Sequence, residues 1–303
     1  MKGKGMSDYL ESRMGLAGKV AALIGGGGGI GRGATLALAQ AGVDVAFCDV
    51  DVEALAQTKA DVEALGRRAL AIEADATDSS ALDAFYEQVG AAFDRLDIVV
   101  NVAGGTKRIK FMDADAARIA DDIHRNYGYV VQSVQRAVPL IRRGGRGGSV
   151  INFTTIEAHR GAATFSVYAG AKAATTNFTR AMAVELGGEW IRFNCIVPDT
   201  TPSKGNGAAM PPEIGEAMMK LPPEGQRAGM EMYIPVKAQP QVDALGDGVL
   251  FLASDMAKFV TGTSLHVDGG TMAAAGFLDW PFGDGHLCVP LAGTLGRIHP
   301  SQG

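Results

Sequence analysis

The chain of 303 residues has little of what marks several specialised classes of protein. Its three cysteines, Cys48, Cys195 and Cys288, lie far apart and fit neither a disulfide framework nor a zinc site, so no metal is expected. No apolar run approaches the roughly eighteen residues of a membrane span, and the N-terminus lacks the apolar core of a signal peptide. We therefore expect a cytoplasmic protein that does not enter a membrane.

An excess of positive charge is also absent. The 28 lysines and arginines are outnumbered by 33 acidic residues, and the net charge of -5 is spread along the chain, which does not favour a nucleic-acid partner. The 41 glycines cluster at apparent turns and form no repeat, which excludes a fibrous protein. A hydrophobic content of 47% with 20% charged residues is typical of a soluble globular protein.

Short apolar runs of the buried-strand type alternate with segments whose apolar residues recur at helical spacing, including a long helix over about residues 114–142. The predicted strands cover residues 20–24, 43–48, 69–73, 98–100, 150–153, 192–197 and 265–267. This alternation predicts a single α/β domain of Rossmann type, with a doubly wound, seven-stranded parallel sheet and helices on both faces.

The first predicted strand runs directly into a glycine cluster, residues 25–31, which a helix and a second strand follow. Glycines let the backbone approach a pyrophosphate closely, and the helix N-terminus offers it unpaired N–H groups. Asp49 ends the second strand 18 residues (49 − 31) beyond Gly31, near the spacing of the acid that binds the adenosine ribose. A carboxylate there repels a 2′-phosphate, which favours NAD over NADP.

Tyr168 and Lys172 lie four residues apart on a predicted helix and therefore on one face. A neighbouring ammonium favours the phenolate and is expected to lower the tyrosine pKa, so that the phenol can take a proton from an alcohol. The carboxyl ends of parallel strands meet at one edge of a sheet, where ligands bind. Four polar or turn residues follow predicted strand ends and should meet there: Asp49, Asn101, Thr155 and Pro198.

These motifs together resemble the short-chain dehydrogenase/reductase family over about residues 18–270. Gly25, Gly29, Ile30 and Gly31 match its glycine motif, and Tyr168 with Lys172 matches its Tyr-x-x-x-Lys. The departures from the family pattern are Ile24 for threonine, Val102 for asparagine, Thr155 for serine and Asp199 for glycine. Asp199 either favours the oxidised cofactor by its charge or is a solvated loop carboxylate.

The resemblance implies a catalytic set in which Tyr168 is the general acid/base and Lys172 also holds the nicotinamide ribose. Thr155 would steady the substrate oxygen, and Asn126 would anchor a proton-relaying water. The implied cofactor contacts are Gly25, Gly28, Gly29, Ile30, Gly31, Asp49, Val50, Asp75, Ala76, Asn101, Ala103, Tyr168, Lys172, Pro198, Thr201 and Ser203. Glu157, His159 and Arg160 are further candidates to line the pocket.

The implied activity is NAD-dependent interconversion of a secondary alcohol and a ketone, in a homo-oligomer, either dimer or tetramer. Two alternatives stay open. One is a reductase of acyl-thioester carbonyls on the same fold, against which Asp49 argues because such enzymes commonly use NADPH. The other is a protein that senses NAD without chemistry, which would not need the catalytic set.

Three segments fall outside the shared pattern. Residues 1–17 are polar and are expected to form a loose leader. Residues 199–240, rich in proline and methionine, take the place of the substrate-covering segment and predict a bulky, mostly apolar substrate, unless they form an ordinary packed helix. Residues 271–303 carry too many apolar side chains for a disordered tail, and we expect them to pack across a neighbouring subunit.

Overall fold

A computed structural model describes residues 6–199, 201, 216, 220, 222–238, 241–279 and 286–288. Within these residues, seven parallel strands form one sheet in the order β3-β2-β1-β4-β5-β6-β7, which confirms the predicted architecture. The strands are β1 Val20–Ile24, β2 Asp44–Asp49, β3 Ala69–Glu73, β4 Ile98–Asn101, β5 Gly148–Phe153, β6 Ile191–Pro198 and β7 Ser264–Val267.

Helices cover both faces of the sheet, so its central strands are buried on both sides and read as unbroken apolar runs. The helices of the described residues are α1 Met6–Met14, α2 Gly29–Gln40, α3 Val52–Ala64, α4 Ser79–Ala92, α5 Ala116–Ile123, α6 Tyr129–Gly144, α7 Ser166–Leu186, α8 Pro223–Tyr233, α9 Val242–Ala253 and α10 Thr271–Ala274. Apolar side chains of α2, α3 and α9 fill one core, and those of α4, α6 and α7 fill the other. In the ranges given above, no helix has both the length and the apolar character needed to cross a membrane.

The sheet changes its winding direction at β1, which lies between β2 and β4. Connections on the two sides of this point lead away from each other and open a crevice beyond the carboxyl ends of the strands. Every predicted strand-end residue that the structure describes lies at this edge of the sheet. The fold therefore positions a ligand site next to β1 and β4.

Two segments differ from the expected secondary structure. The leader expected to be loose contains α1, and Leu16, just beyond this helix, is buried with 1% of its surface exposed. The long helix expected over residues 114–142 is interrupted between α5 and α6 by one turn of π-helix, His124–Gly128. Such wide turns inside helices are frequent at functional sites, and this one carries Asn126.

The C-terminal extension begins with α10, which a two-stranded antiparallel sheet of β8, Phe277–Asp279, and β9, His286–Cys288, follows. β8 packs against α8, and an ion pair joins Asp279 to Lys237, four residues beyond that helix. This part of the extension therefore lies on the covering segment of its own chain. Packing across a neighbouring subunit stays a prediction.

Candidate active site

The glycine loop between β1 and α2 is shaped by positions that exclude any side chain. Gly25 and Gly29 have positive φ angles of 85° and 49°. A Cβ placed on Gly31 would overlap the carbonyl oxygen of Gly25. No side chain caps the start of α2, so its first N–H groups face the crevice and can bind a phosphate.

Two threonines hold this loop through hydrogen bonds of their hydroxyl groups, which the apolar side chain of Ile24 cannot make. The Thr35 hydroxyl lies 2.9 and 3.0 Å from the carbonyl oxygens of Gly26 and Gly31 and can donate its proton to either. The Thr58 hydroxyl donates to the carbonyl oxygen of Gly27 at 2.7 Å. The loop is therefore fixed from both helices that flank it, independently of residue 24.

Asp49 lies at the end of β2, directly beside the loop. Its carboxylate accepts hydrogen bonds from the N–H groups of Gly27 at 3.1 Å and Val50 at 2.8 Å. On the neighbouring strand, Asp75 follows β3 and accepts both the Thr77 N–H and hydroxyl, and these bonds lower the pKa of Asp75. Asp49 and Asp75 thus follow neighbouring strands along the rim, with Ala76 beside them, where the adenosine half of a dinucleotide is expected.

Asn101 and Ala103 contribute differently from each other. The Asn101 side chain is fully buried, accepting from Ser133 at 2.6 Å and donating to Asn152 at 2.8 Å, so only its backbone can face a cofactor. The buried polar chain to which it belongs crosses the sheet through Tyr86, Ser133, Asn101, Asn152, Thr179 and Cys195. Ala103 approaches Gly25 so closely that a Cβ on the glycine would lie 2.7 Å from the Ala103 nitrogen, which places Ala103 at the crevice.

Thr155, just after β5, and Tyr168, in the first turn of α7, lie together at the same edge of the sheet. The Thr155 hydroxyl is close enough to the phenol to counteract the rise in its pKa, and it donates a hydrogen bond to the Glu157 carboxylate. Thr155 is buried, with 6% of its surface exposed. Two hydroxyls in contact at the mouth of a crevice can hold one substrate oxygen between them.

Lys172 does not act on the phenol as expected. Its ammonium donates to the carbonyl oxygen of Phe153 at 2.9 Å, and burial lowers the pKa of Lys172 to about 8. The charge that acts on Tyr168 is the Glu157 carboxylate, and burial first and this charge second raise the pKa of Tyr168 to about 12. The expected lowering of the phenol pKa by Lys172 is therefore wrong for this structure, because the ammonium is held by a backbone carbonyl.

Asn126 is fully buried in the π-helical turn and organises the loop above Lys172. Its side-chain amide exchanges hydrogen bonds with the backbone of Gly105, accepting at 2.9 Å and donating at 3.1 Å. A Cβ on Gly104 would lie 2.7 Å from Asn126 Oδ1 and 3.3 Å from Lys172 Nζ, so only a glycine separates the two side chains. The structure thus brings Asn126, Lys172, Tyr168 and Thr155 into one site.

Beyond β6, Asp199 is not a solvated loop carboxylate. It is buried, with 6% of its surface exposed, and accepts the Tyr233 hydroxyl at 2.7 Å; burial raises its pKa. Tyr233 ends α8 and in turn accepts a hydrogen bond from Arg160 at 2.9 Å. Sequence reasoning missed Tyr233, because nothing in a proline- and methionine-rich segment indicates which residue turns inward.

The remaining candidate residues are Thr201, Ser203 and His159. Thr201 is buried beside Pro198 and donates to the carbonyl oxygen of Asp199 at 3.3 Å, whereas Ser203 lies outside the described residues. His159 packs its ring against His266 of β7, with ring centroids 5.1 Å apart, and burial lowers its pKa. Among the residues that the structure describes, no three His, Cys, Asp or Glu side chains form a cluster able to hold a metal ion.

Half of this edge has a glycine loop and a helix N-terminus that can bind a phosphate, and the other half holds the Tyr168 phenol and the Thr155 hydroxyl, an arrangement that suits a nicotinamide-dependent oxidoreductase. A family model described as Enoyl-(Acyl carrier protein) reductase matches residues 25–272. An uncharacterized oxidoreductase of Mycobacterium tuberculosis is 34% identical over 252 residues, 83% of this chain and 91% of the relative. The chain belongs to the short-chain dehydrogenase/reductase family.

Two further relatives bind different molecules. L-rhamnose 1-dehydrogenase (NAD(P)(+)) of a Sphingomonas species is 31% identical, over 84% of this chain and 96% of the relative. The crystal structure of carveol dehydrogenase from Mycobacterium avium in complex with NAD is 32% identical, with a TM-score of 0.77 over 85% of this chain and 98% of that one. The protein is therefore an enzyme that acts on CH–OH groups with a nicotinamide cofactor and interconverts a secondary alcohol and a ketone.

Proposed function

We propose that this enzyme is an NAD-preferring dehydrogenase/reductase in which Tyr168 is the general acid/base. The observation that carries this proposal is that Tyr168 and Thr155 lie close together at the edge of the sheet that also holds the glycine loop. Carbonyl reduction requires a proton donor at the substrate oxygen, and alcohol oxidation requires a base there. A phenol beside a second hydroxyl supplies both.

The residues present fit a nicotinamide dinucleotide. Gly31 lets the start of α2 pack directly on the Gly25 backbone, the uncapped N–H groups of that helix can bind a pyrophosphate, and Asp49 accepts hydrogen bonds where ribose hydroxyls are expected. A 2′-phosphate would meet the Asp49 charge, which supports NAD over NADP. Lys172 and Asn126 would lie at the nicotinamide half, and the cofactor, when bound, supplies or accepts the hydride.

Each side chain then has one task in the reaction. In reduction the Tyr168 phenol gives its proton to the substrate oxygen, and in oxidation it takes that proton back. Thr155 donates a hydrogen bond to the same oxygen and steadies it in both forms. Asn126 fixes the loop at Gly104–Gly105 and with it the space above Lys172. We further propose that the substrate is bulky and mostly apolar, covered by α8 and its flanking residues, and that the chain acts as a homo-oligomer in the cytoplasm.

Replacing Tyr168 with phenylalanine tests the assignment. We expect turnover of secondary alcohols to fall at least about 100-fold, the lower range for a lost general acid/base, while the dissociation constant of NADH changes only a few-fold. A panel of apolar secondary alcohols and ketones, assayed with NAD and with NADP by absorbance of the reduced cofactor, measures this and should show higher kcat/KM with NAD.

The matched control is Tyr9→Phe, because Tyr9 is exposed on α1 and loses the same hydroxyl without effect on either measurement. Turnover that survives in Tyr168→Phe contradicts the assignment of the general acid/base. A preference for NADP contradicts the role given to Asp49.

A further inference from the structure

Glu157 places a carboxylate inside the catalytic site that the reaction scheme above does not use. It lies in a short 3-10 turn two residues after Thr155, and its side chain is mostly buried, with 17% exposed. One carboxylate oxygen, Oε2, accepts the Thr155 hydroxyl, and the other, Oε1, accepts Arg160 at 3.1 Å. Both oxygens of this charge are therefore satisfied by residues of the site itself.

Arg160, which binds the Glu157 carboxylate, is itself part of a row of hydrogen bonds. Arg160 donates to the Tyr233 hydroxyl at 2.9 Å, and Tyr233 donates to Asp199 at 2.7 Å. This row of hydrogen bonds runs from the catalytic loop through the end of α8 to the loop after β6. Arg160 is thus held by Tyr233 of α8, and its bond to Oε1 keeps the Glu157 carboxylate pointed at Thr155.

Thr155 cannot serve both of its acceptors at once. A hydroxyl has one proton to donate, so a Thr155 that donates to the substrate oxygen no longer donates to Glu157. Oε2 of Glu157 would then be a mostly buried carboxylate oxygen without its donor. Leaving a buried charged acceptor unpaired is costly, so productive binding of a simple ketone or alcohol is disfavoured.

A substrate can restore the lost donor itself. Two acceptors bonded to the same hydroxyl lie roughly 4.5 Å apart, given hydrogen bonds of about 2.7 Å. A hydroxyl on the carbon next to the reacting carbon fits between the reacting oxygen and Oε2 of Glu157. It donates to the carboxylate in the place that Thr155 has vacated.

We infer that Glu157 is a specificity-determining residue that selects substrates with a hydroxyl on the carbon adjacent to the reacting one. The substrate class is a vicinal diol in oxidation and an α-hydroxyketone in reduction, on an otherwise apolar skeleton. This inference rests on the proposed function, because it requires that Thr155 and Tyr168 hold the reacting oxygen.

Pairs of alcohols with the same skeleton test it directly. Cyclohexanol is compared with cis-1,2-cyclohexanediol, and 1-indanol with cis-1,2-indanediol, using NAD and the full-length enzyme. We expect the diol to exceed its partner in kcat/KM by at least about tenfold, since sites built to bind a substrate hydroxyl strongly reject analogues that lack it.

Glu157→Gln should abolish this ratio. The Arg160 guanidinium has only donors, so it selects the amide oxygen, and the amide NH₂ then faces Thr155 and the substrate hydroxyl. The acceptor becomes a donor at nearly unchanged shape. Glu189→Gln is the matched control: Glu189 pairs with Arg142 and precedes β6 at the opposite edge of the sheet, so the ratio should stay at its wild-type value.

A second variant tests the inference even if Glu157→Gln does not fold. Tyr233→Phe frees Arg160 without altering Glu157, and the diol ratio should fall several-fold while NADH binding, measured by fluorescence, stays intact. Equal kcat/KM for both members of each pair, or a diol preference that persists in Glu157→Gln, overturns the inference and leaves the proposed function standing. Absence of turnover with every pair and with the corresponding ketones refutes the proposed function and the inference with it.

Discussion

Tyr168 keeps its proton at neutral pH in this structure, since its pKa is raised to about 12. Relative to an ordinary tyrosine near 10, this corresponds to roughly 3 kcal/mol in favour of the neutral phenol. The neutral phenol is the proton donor that ketone reduction needs. Oxidation needs the deprotonated form, so the protein alone favours reduction at neutral pH and gains oxidation rate as the pH rises.

Replacing Glu157 should change the pH dependence of oxidation. Removing a negative charge beside a phenol lowers its pKa, so Glu157→Gln holds more phenolate at any given pH and should move the rising limb of oxidation down by about one pH unit. Lys172, with its pKa lowered to about 8, loses its charge at lower pH than the phenol does, and it does so in both enzymes. Profiles of kcat/KM against pH for the two enzymes measure the displacement, and coincident profiles contradict it.

At the residue scale, the sequence predicts which side chains carry the chemistry better than it predicts their partners. Spacing places Tyr168 and Lys172 on one helix face, as found. It does not determine where a flexible four-carbon side chain ends, and here Nζ reaches the Phe153 carbonyl. The effect of Glu157 on the phenol depends on how the loop after β5 folds back, which no local pattern reveals.

At the scale of elements, the turn from β1 into α2 depends on Gly31. A methyl group there overlaps the Gly25 carbonyl, and relieving such an overlap costs about 1–3 kcal/mol, so Gly31→Ala should lower Tm by roughly 2–10 °C. Gly28→Ala is the control for Tm, because its Cβ would meet nothing closer than 3.7 Å. Thermal unfolding followed by circular dichroism gives both values, and equal Tm values for the two variants would refute the packing argument.

Strands were more predictable than helix irregularities. The five inner strands, β1, β2, β4, β5 and β6, are buried and are short apolar runs between turn residues, a pattern that burial on both faces requires. The π-helical turn at Asn126 has no such signal, because a single wide turn leaves the apolar spacing on either side nearly unchanged. Helix α1 was missed because it is polar, with Tyr9 and Leu10 exposed.

At the scale of the whole molecule, the C-terminal extension and the substrate cover are connected. β8 packs on α8, and Lys237 pairs with Asp279, so a chain that stops after Thr271 should bind its substrate more weakly. We expect KM for the alcohol to rise several-fold with little change in NADH binding. A chain that stops after Cys288 keeps the β8–β9 pair and serves as the control.

Light scattering of the chain that stops after Thr271 distinguishes an extension that packs on a neighbouring subunit from one that acts within its own chain. A smaller oligomer supports packing across a neighbouring subunit, and an unchanged oligomer with a raised KM supports a role within one chain. If neither the size nor KM changes, the extension has no part in the site.

The polar chain through Asn101 also bears on how the sheet aligns while the protein folds. Asn101 and Asn152 are register partners on β4 and β5, and their buried amides hydrogen-bond to each other. Sliding one strand by a single residue turns all of its side chains to the opposite face, which separates the two amides and leaves them without this partner. Uniformly apolar strands could pair equally well in several alignments. These two asparagines favour the native alignment, because any other one costs the hydrogen bond between their buried amides.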